Sequence, residues 1–268
     1  MSRQFRKTEL KQEFAGADLK IAAIHRDGDL TPFVFLHGFG STKEDYADFV
    51  RQRAFDGHPF IAFDAPGFGE TYCSDLPKLS IPFLAGAALR VAEAFNFDRF
   101  HLVGHSMGGL TALLLAHQAP ERVISFTNIK GNLAPEDCFL SRQIVDYAEA
   151  DAAQFFEDFI HRTHSAPAFS SALYAASLRH KVRIGAVRAI FESMVDLSDH
   201  GDLLAKFVNL PCPKMFMYGV DFANLSYLPQ LKSCGVRLAE IEHCGHFPMY
   251  SNPPAMWKEI VDFTIAIT

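Results

Sequence analysis

Phe100-His101-Leu102-Val103-Gly104-His105-Ser106-Met107-Gly108-Gly109-Leu110-Thr111-Ala112-Leu113-Leu114-Leu115-Ala116-His117 is the stretch on which the reading of this chain turns. Its opening residues suit a buried strand and its closing residues favour helix, so the Gly-x-Ser-x-Gly pentapeptide between them falls on a strand-to-helix bend. Ser106 then stands at the tip of that bend. Small residues at 104 and 108 allow the sharp turn and the close approach of neighbouring elements, and the new helix directs its positive end toward the serine. A serine hydroxyl is a weak nucleophile on its own. The reading therefore requires a histidine base, a carboxylate to orient it and oxyanion donors elsewhere in the chain.

Upstream, Phe33-Val34-Phe35-Leu36 is a short apolar run of the kind buried on both faces of a parallel sheet. It leads into His37-Gly38-Phe39-Gly40, a glycine-flanked loop whose Phe39 amide, together with that of Met107, is the expected oxyanion pair. His37 is expected to pack and hydrogen-bond locally. Ser41 or Thr42 is expected to cap a helix running to about Phe55. Pro59 to Phe63 reads as a second buried strand, ending in Asp64-Ala65-Pro66-Gly67-Phe68-Gly69, where Asp64 suits a turn-making acceptor. Ile81 to Phe95 supplies the helix before the nucleophile strand. Nearer the N-terminus, Leu10–Glu13 and Leu19–Ile24 flank a turn at Phe14–Asp18, an edge hairpin.

Downstream, Val123 to Ile129 is a strand, after which strand signal disappears from Asn132 to about Val208. Amphipathic stretches at Leu140–Glu149, Ala152–His161 and Val182–Met194 replace it. Strand rhythm returns at Pro213–Gly219 and Val236–Ile241, with a short helix around Leu225–Lys232 between them. The chain ends with His243-Cys244-Gly245-His246-Phe247-Pro248 and a helix from Pro254 to Ile267. The expected architecture is α/β: a mostly parallel central sheet with helices on both faces, formed by residues 1–131 and 209–268. Residues 132–208 form a helical lid between two late strands.

Lys and Arg number 25 against 31 Asp and Glu, in no long block of either sign, which argues against a nucleic-acid surface or a polybasic membrane patch. No run approaches the length of a membrane span, and the charged N-terminus lacks the apolar core of a signal peptide, so a cytoplasmic protein is expected. The five scattered cysteines read as free thiols. No phosphate-binding glycine loop or histidine metal motif is present, so no cofactor and no metal is expected. The partner expected is a small molecule with an apolar portion; oligomeric state stays open. With 26 Phe and one Trp, the chain has aromatic material to spare for lining a pocket, and Phe155, Phe156, Phe159, Phe169 and Phe191 are the candidates in the lid.

Taken together, His37-Gly38-Phe39-Gly40, Asp64-Ala65-Pro66-Gly67-Phe68-Gly69, Gly104-His105-Ser106-Met107-Gly108 and Gly245-His246-Phe247-Pro248 resemble, in order, the motifs of the α/β-hydrolase superfamily, in particular its lid-bearing serine esterases. The resemblance covers nearly the whole chain, the lid least. It implies Ser106 as nucleophile and His246 as general base, with His243 the structural competitor. Relatives usually carry the acid at the third position past the glycine that ends the penultimate strand; here Gly219-Val220-Asp221-Phe222 puts Asp221 at the second. Asp221 is still the first candidate for the acid. A minority of the superfamily take the acid from the end of the preceding strand, where this chain has Lys130, with Glu136 and Asp137 later; Asp137 is the second candidate.

These residues imply hydrolysis of a small, largely apolar ester through an acyl-enzyme. The same superfamily includes carbon-carbon bond hydrolases, thioesterases and perhydrolases, and members that only bind small molecules, and the fold alone does not choose among them. Serine at the elbow disfavours the branches that use a carboxylate nucleophile.

Overall fold

A computed structural model describes residues 4–148 and 151–267. Its nine-stranded mixed sheet has the spatial order β1-β2-β4-β3-β6-β7-β8-β9, with β5 paired to β2. The antiparallel edge is the expected hairpin: β1 (Arg6–Phe14) and β2 (Ala17–Arg26) meet across Ala15 and Gly16, both at positive φ. β2 is also antiparallel to β4 (Phe60–Phe63) and to β5 (Tyr72–Cys73). From β4 onward the sheet is parallel, through β3 (Phe33–Leu36), β6 (Phe100–His105), β7 (Val123–Ile129), β8 (Lys214–Gly219) and β9 (Arg237–Ile241). Every residue of β3, β4 and β6 is buried, which is why these strands read as apolar runs without alternation.

Helices α1 (Ile81–Ala94) and α2 (Met107–Gln118) pack against the sheet. Ser80 caps α1, accepting from the Phe83 amide at 3.3 Å. The helix expected from residue 42 to 55 is instead a 3₁₀ segment, Lys43–Arg51, followed by a second at Arg53–Phe55. Thr42 stands at its N-cap position but makes no side-chain cap bond. The first-turn amide of Lys43 is satisfied by Asp64 Oδ1 at 2.9 Å, a contact from a different strand that local sequence does not carry.

Among the described residues no strand intervenes between β7 and β8. The chain forms 3₁₀ turns at Pro135–Cys138 and Ser141–Asp146, then α3 (Ala152–His164), α4 (Phe169–Ala176), α5 (Leu178–Lys181), α6 (Ile184–His200) and α7 (Leu203–Val208). The stretch expected as a helix over 140–149 is therefore a short 3₁₀ turn, and its last residue, Glu149, lies outside the described residues. This segment is tied to the sheet domain by backbone: Gly69 N donates to Lys181 O at 2.7 Å, Arg183 N donates to Gly67 O at 2.9 Å, and Phe68 bridges Val182. The glycine-rich loop after β4 thus serves as the docking strap for the helical segment.

The C-terminal part adds α8 (Leu228–Ser233), α9 (Pro248–Ser251) and α10 (Pro253–Ile267). Among the described residues no helix is long and apolar enough to cross a membrane.

Candidate active site

Ser106 is the residue between β6 and α2. Its backbone is held at φ 52, ψ −119, a conformation that a non-glycine residue adopts only when its surroundings enforce it. Here the enforcement is visible. Ser106 N donates to Ile129 O at 2.9 Å, its carbonyl accepts from Leu110 N at 3.0 Å, and any side chain at Gly104 would overlap the Gly108 carbonyl. The elbow is over-determined by β7 on one side and its own helix on the other. The loop after β3 comes equally close: a Cβ on Gly38 would lie 3.2 Å from the Ser106 Cβ. Among the described residues neither the Phe39 amide nor the Met107 amide donates to a protein acceptor. Both belong to the two segments that meet at Ser106.

His246 arrives from the loop after β9, and its Nε2 lies 2.9 Å from Ser106 Oγ. His243 is exposed at positive φ and takes no part. The imidazole sits among aromatic rings, with Phe247 at 5.0 Å, Phe139 at 5.9 Å and Phe222 at 6.0 Å between centroids, each edge to face. Burial in this cage, with smaller contributions from His105 and Lys130, pushes the His246 pKa well below the ordinary histidine value. The ring is therefore neutral at pH 7, as a base must be.

The hydrogen bond expected between Asp221 and His246 is absent. Nδ1 of His246 has no partner among the described residues. Asp221 lies in a 3₁₀ turn, Val220–Phe222, that leaves its side chain exposed with one carboxylate oxygen over Gly245. The next residue, Phe222, is the one at the third position past Gly219, and it is its ring that faces the imidazole. Asp137 does not reach His246 either. Its carboxylate accepts from Lys130 Nζ at 2.5 Å, Leu133 N at 2.8 Å, Ala134 N at 3.0 Å and Tyr227 Oη at 2.9 Å, which saturates it. Lys130, at φ 46 directly after β7, also stands 4.7 Å over the Phe222 ring. The two places where an orienting carboxylate was sought thus hold a phenyl ring and a lysine.

Two supporting residues escaped the sequence reading. His105, inside the pentapeptide, donates from Nε2 to the His246 carbonyl at 2.8 Å and so pins the base-bearing loop to the elbow. Tyr174 on α4 donates to the Phe39 carbonyl at 2.6 Å and stacks on Phe247 at 4.5 Å, fixing the candidate oxyanion loop from the helical segment. Position next to the serine was a usable signal for His105; nothing local marked Tyr174. His37 and Asp64 are structural, as expected. His37 Nε2 accepts from Ala65 N at 2.9 Å, and Asp64 accepts from Lys43 Nζ and from the Lys43 and Glu70 amides.

A narrow pocket with about 30 Å³ of free volume opens on Ser106 and His246, walled by Phe39, Phe139, Phe159, Phe191, Met194 and Phe247. A second, roomier hollow of about 290 Å³ reaches His246 from the side of α3 and the Asp221 turn. Of the five phenylalanines expected to line a chamber, Phe159 and Phe191 do so. Phe155 and Phe156 are buried in packing within the helical segment, and Phe169 is 80% exposed. Among the described residues no cluster of His, Cys, Asp or Glu is placed to hold a metal ion.

Residues 33–259 match the model of the alpha/beta hydrolase family. The chain is 25% identical over 261 residues to a pimeloyl-(acyl-carrier protein) methyl ester esterase of Aeromonas salmonicida, covering 91% of this chain and 98% of that one. It is 32% identical over 114 residues to the dihydrolipoyllysine-residue acetyltransferase component of the acetoin cleaving system of Cupriavidus necator, covering 42% of this chain. That match and its Pseudomonas putida counterpart take in about a third of the relative's length, 30% and 31%. Among solved structures, a thermophilic esterase from Thermogutta terrifontis superposes with a TM-score of 0.77 at 17% identity, over 98% of this chain and 99% of the other. The chain belongs to the alpha/beta hydrolase family. It is a hydrolase.

His37, His101 and His105 are buried and His246 is half-buried; all four have pKa values lowered chiefly by desolvation, to about 4 for His101 and His105. As pH falls through about 6.5 the unfolded chain takes up protons at these positions and the folded chain does not. Stability therefore declines from about pH 6.5 toward pH 4, by up to about 1.4 kcal/mol per pH unit for each such histidine. Thermal melts across this range should show a steep fall in Tm; a flat profile would exclude neutral burial of these rings.

Proposed function

We propose that the protein hydrolyses a small, largely apolar ester through an acyl-enzyme, with Ser106 as nucleophile and His246 as general base. The reading rests on one contact, the 2.9 Å approach of His246 Nε2 to Ser106 Oγ at a strained bend. In the step envisaged, the serine oxygen adds to the ester carbonyl as its proton passes to Nε2. The amides of Phe39 and Met107 receive the developing oxyanion, and the proton is returned to the departing alcohol. Water, deprotonated by the same imidazole, then releases the acid. The helical segment 132–208 acts as a lid whose Phe159, Phe191 and Met194 form the apolar wall against the substrate.

We place Asp221 outside this machinery, leaving a serine-histidine dyad. An orienting carboxylate holds the imidazole tautomer, and losing one costs about 10⁴ in turnover. Here the position of the ring, though not its tautomer, is held by the cage of rings and by the pinning of the His246 loop through His105. Asp221→Asn is accordingly expected to change kcat/KM by no more than about threefold, measured on 4-nitrophenyl butanoate. A loss near 10⁴-fold would restore Asp221 as the acid.

The unpartnered Nδ1 of His246 also suits a second reading, a pocket that binds small molecules without turning them over. A fluorophosphonate probe separates the two. Covalent labelling of Ser106 supports the hydrolase, and absence of labelling on the folded protein supports the binding module.

A further inference from the structure

We infer that Ser141 and Asn132 form a polar recognition point in the apolar pocket, and that the substrate's acyl portion carries an oxygen substituent, a hydroxyl, that reaches it; this rests on the ester-hydrolase reading above. Ser141 is 3% exposed, it lines the Ser106 pocket, and its Oγ has no hydrogen-bond partner among the described residues. A buried hydroxyl left unpaired is disfavoured, so such a group in a substrate pocket is matched when a ligand supplies the partner. Asn132, also buried and lining the same pocket, spends both amide hydrogens inside the protein, on Cys138 Sγ at 3.2 Å and Ser198 Oγ at 3.0 Å. With the amide so placed, its oxygen accepts no hydrogen bond among the described residues.

A hydroxyl that can donate and a carboxamide oxygen that can only accept are together complementary to a group that does both. An alcohol on the acyl chain fits this pair; an alkyl chain leaves both unmatched. Of the other polar residues lining the pocket, Tyr174 and His105 are spent on the Phe39 and His246 carbonyls, and Asp137 adds nothing to recognition, because its four acceptor contacts are filled from Lys130, Tyr227 and two amides. The wall therefore offers hydrogen bonding without net charge, which favours a neutral oxygen over a carboxylate or an amine.

The test compares methyl butanoate, methyl 2-hydroxybutanoate and methyl 3-hydroxybutanoate by titrating released acid. The wild-type enzyme should prefer at least one hydroxy ester over methyl butanoate by about tenfold in kcat/KM, the worth of one good hydrogen bond. Ser141→Ala should collapse that ratio toward one, mainly through KM. A wild-type ratio near one for both hydroxy esters, an unchanged ratio in Ser141→Ala, or no turnover of any of the three overturns the inference. Fluorophosphonate labelling of the same preparations tells the failures apart. Labelled Ser106 without the preference refutes only the recognition point, whereas unlabelled Ser106 refutes the hydrolytic reading beneath it.

Discussion

Ser106→Ala is expected to lower kcat/KM on a simple aryl ester by at least about 10³-fold while leaving the melting temperature almost unchanged. The loss is large because the proposed nucleophile is removed; residual turnover would come from the proposed oxyanion amides of Phe39 and Met107 acting on an ester attacked by water. Stability should be spared because alanine, like serine, has a Cβ, and the φ of 52 at this position is enforced by Ile129 and Leu110 rather than by the hydroxyl. His246→Ala should produce a loss of similar size, and the double variant should be little worse than either alone, since groups that act as a unit are not additive. Steady-state kinetics on the three variants check this. Full activity in Ser106→Ala would remove the serine route.

Lys130→Met is the substitution expected to hurt stability most. Lys130 and Asp137 are both almost completely buried, and the ammonium is the cationic partner of a carboxylate whose other contacts are neutral donors. Removing one member of such a pair strands a buried charge and costs about 3–5 kcal/mol. For a domain of this size that corresponds to a fall in Tm of about 6–20 °C. Lys130→Met combined with Asp137→Asn should recover much of the loss, because asparagine keeps a carbonyl acceptor for the Leu133 and Ala134 amides and carries no charge. Since Lys130 helps to depress the His246 pKa, its removal should also move the acidic limb of the kcat/KM profile to higher pH. A Lys130→Met protein as stable as wild type, with an unmoved limb, would show that the pair contributes neither effect.

The missing carboxylate illustrates where chain order stops being informative. Asp221 was one position short of the usual place, and whether a shortened loop could still aim it at His246 depended on the turn it adopts. A 3₁₀ turn separates successive side chains by about 120°, so presenting Phe222 to the imidazole sends Asp221 outward. The same holds for the region before the helical segment. Lys130 was visible at the strand end, but its pairing with Asp137 seven residues on, through a positive-φ residue and a 3₁₀ turn, is not a pattern that periodicity encodes.

From the sequence alone came the strand–turn–helix at Ser106, the parallel core strands, the hairpin at the edge and the histidine near the C-terminus. Each of these is specified by local pattern: apolar runs buried on both faces, glycine where backbones crowd, and turn residues between strands. Tertiary structure decided that Tyr174 braces the Phe39 loop, that His105 holds the His246 loop, that Asp64 caps a segment from another strand, and that a phenyl ring fills the acid's place. Those are contacts between residues 21 to 141 positions apart for which no local preference exists, and they are set only when the sheet, the strap at Gly67–Gly69 and the helical segment close on one another.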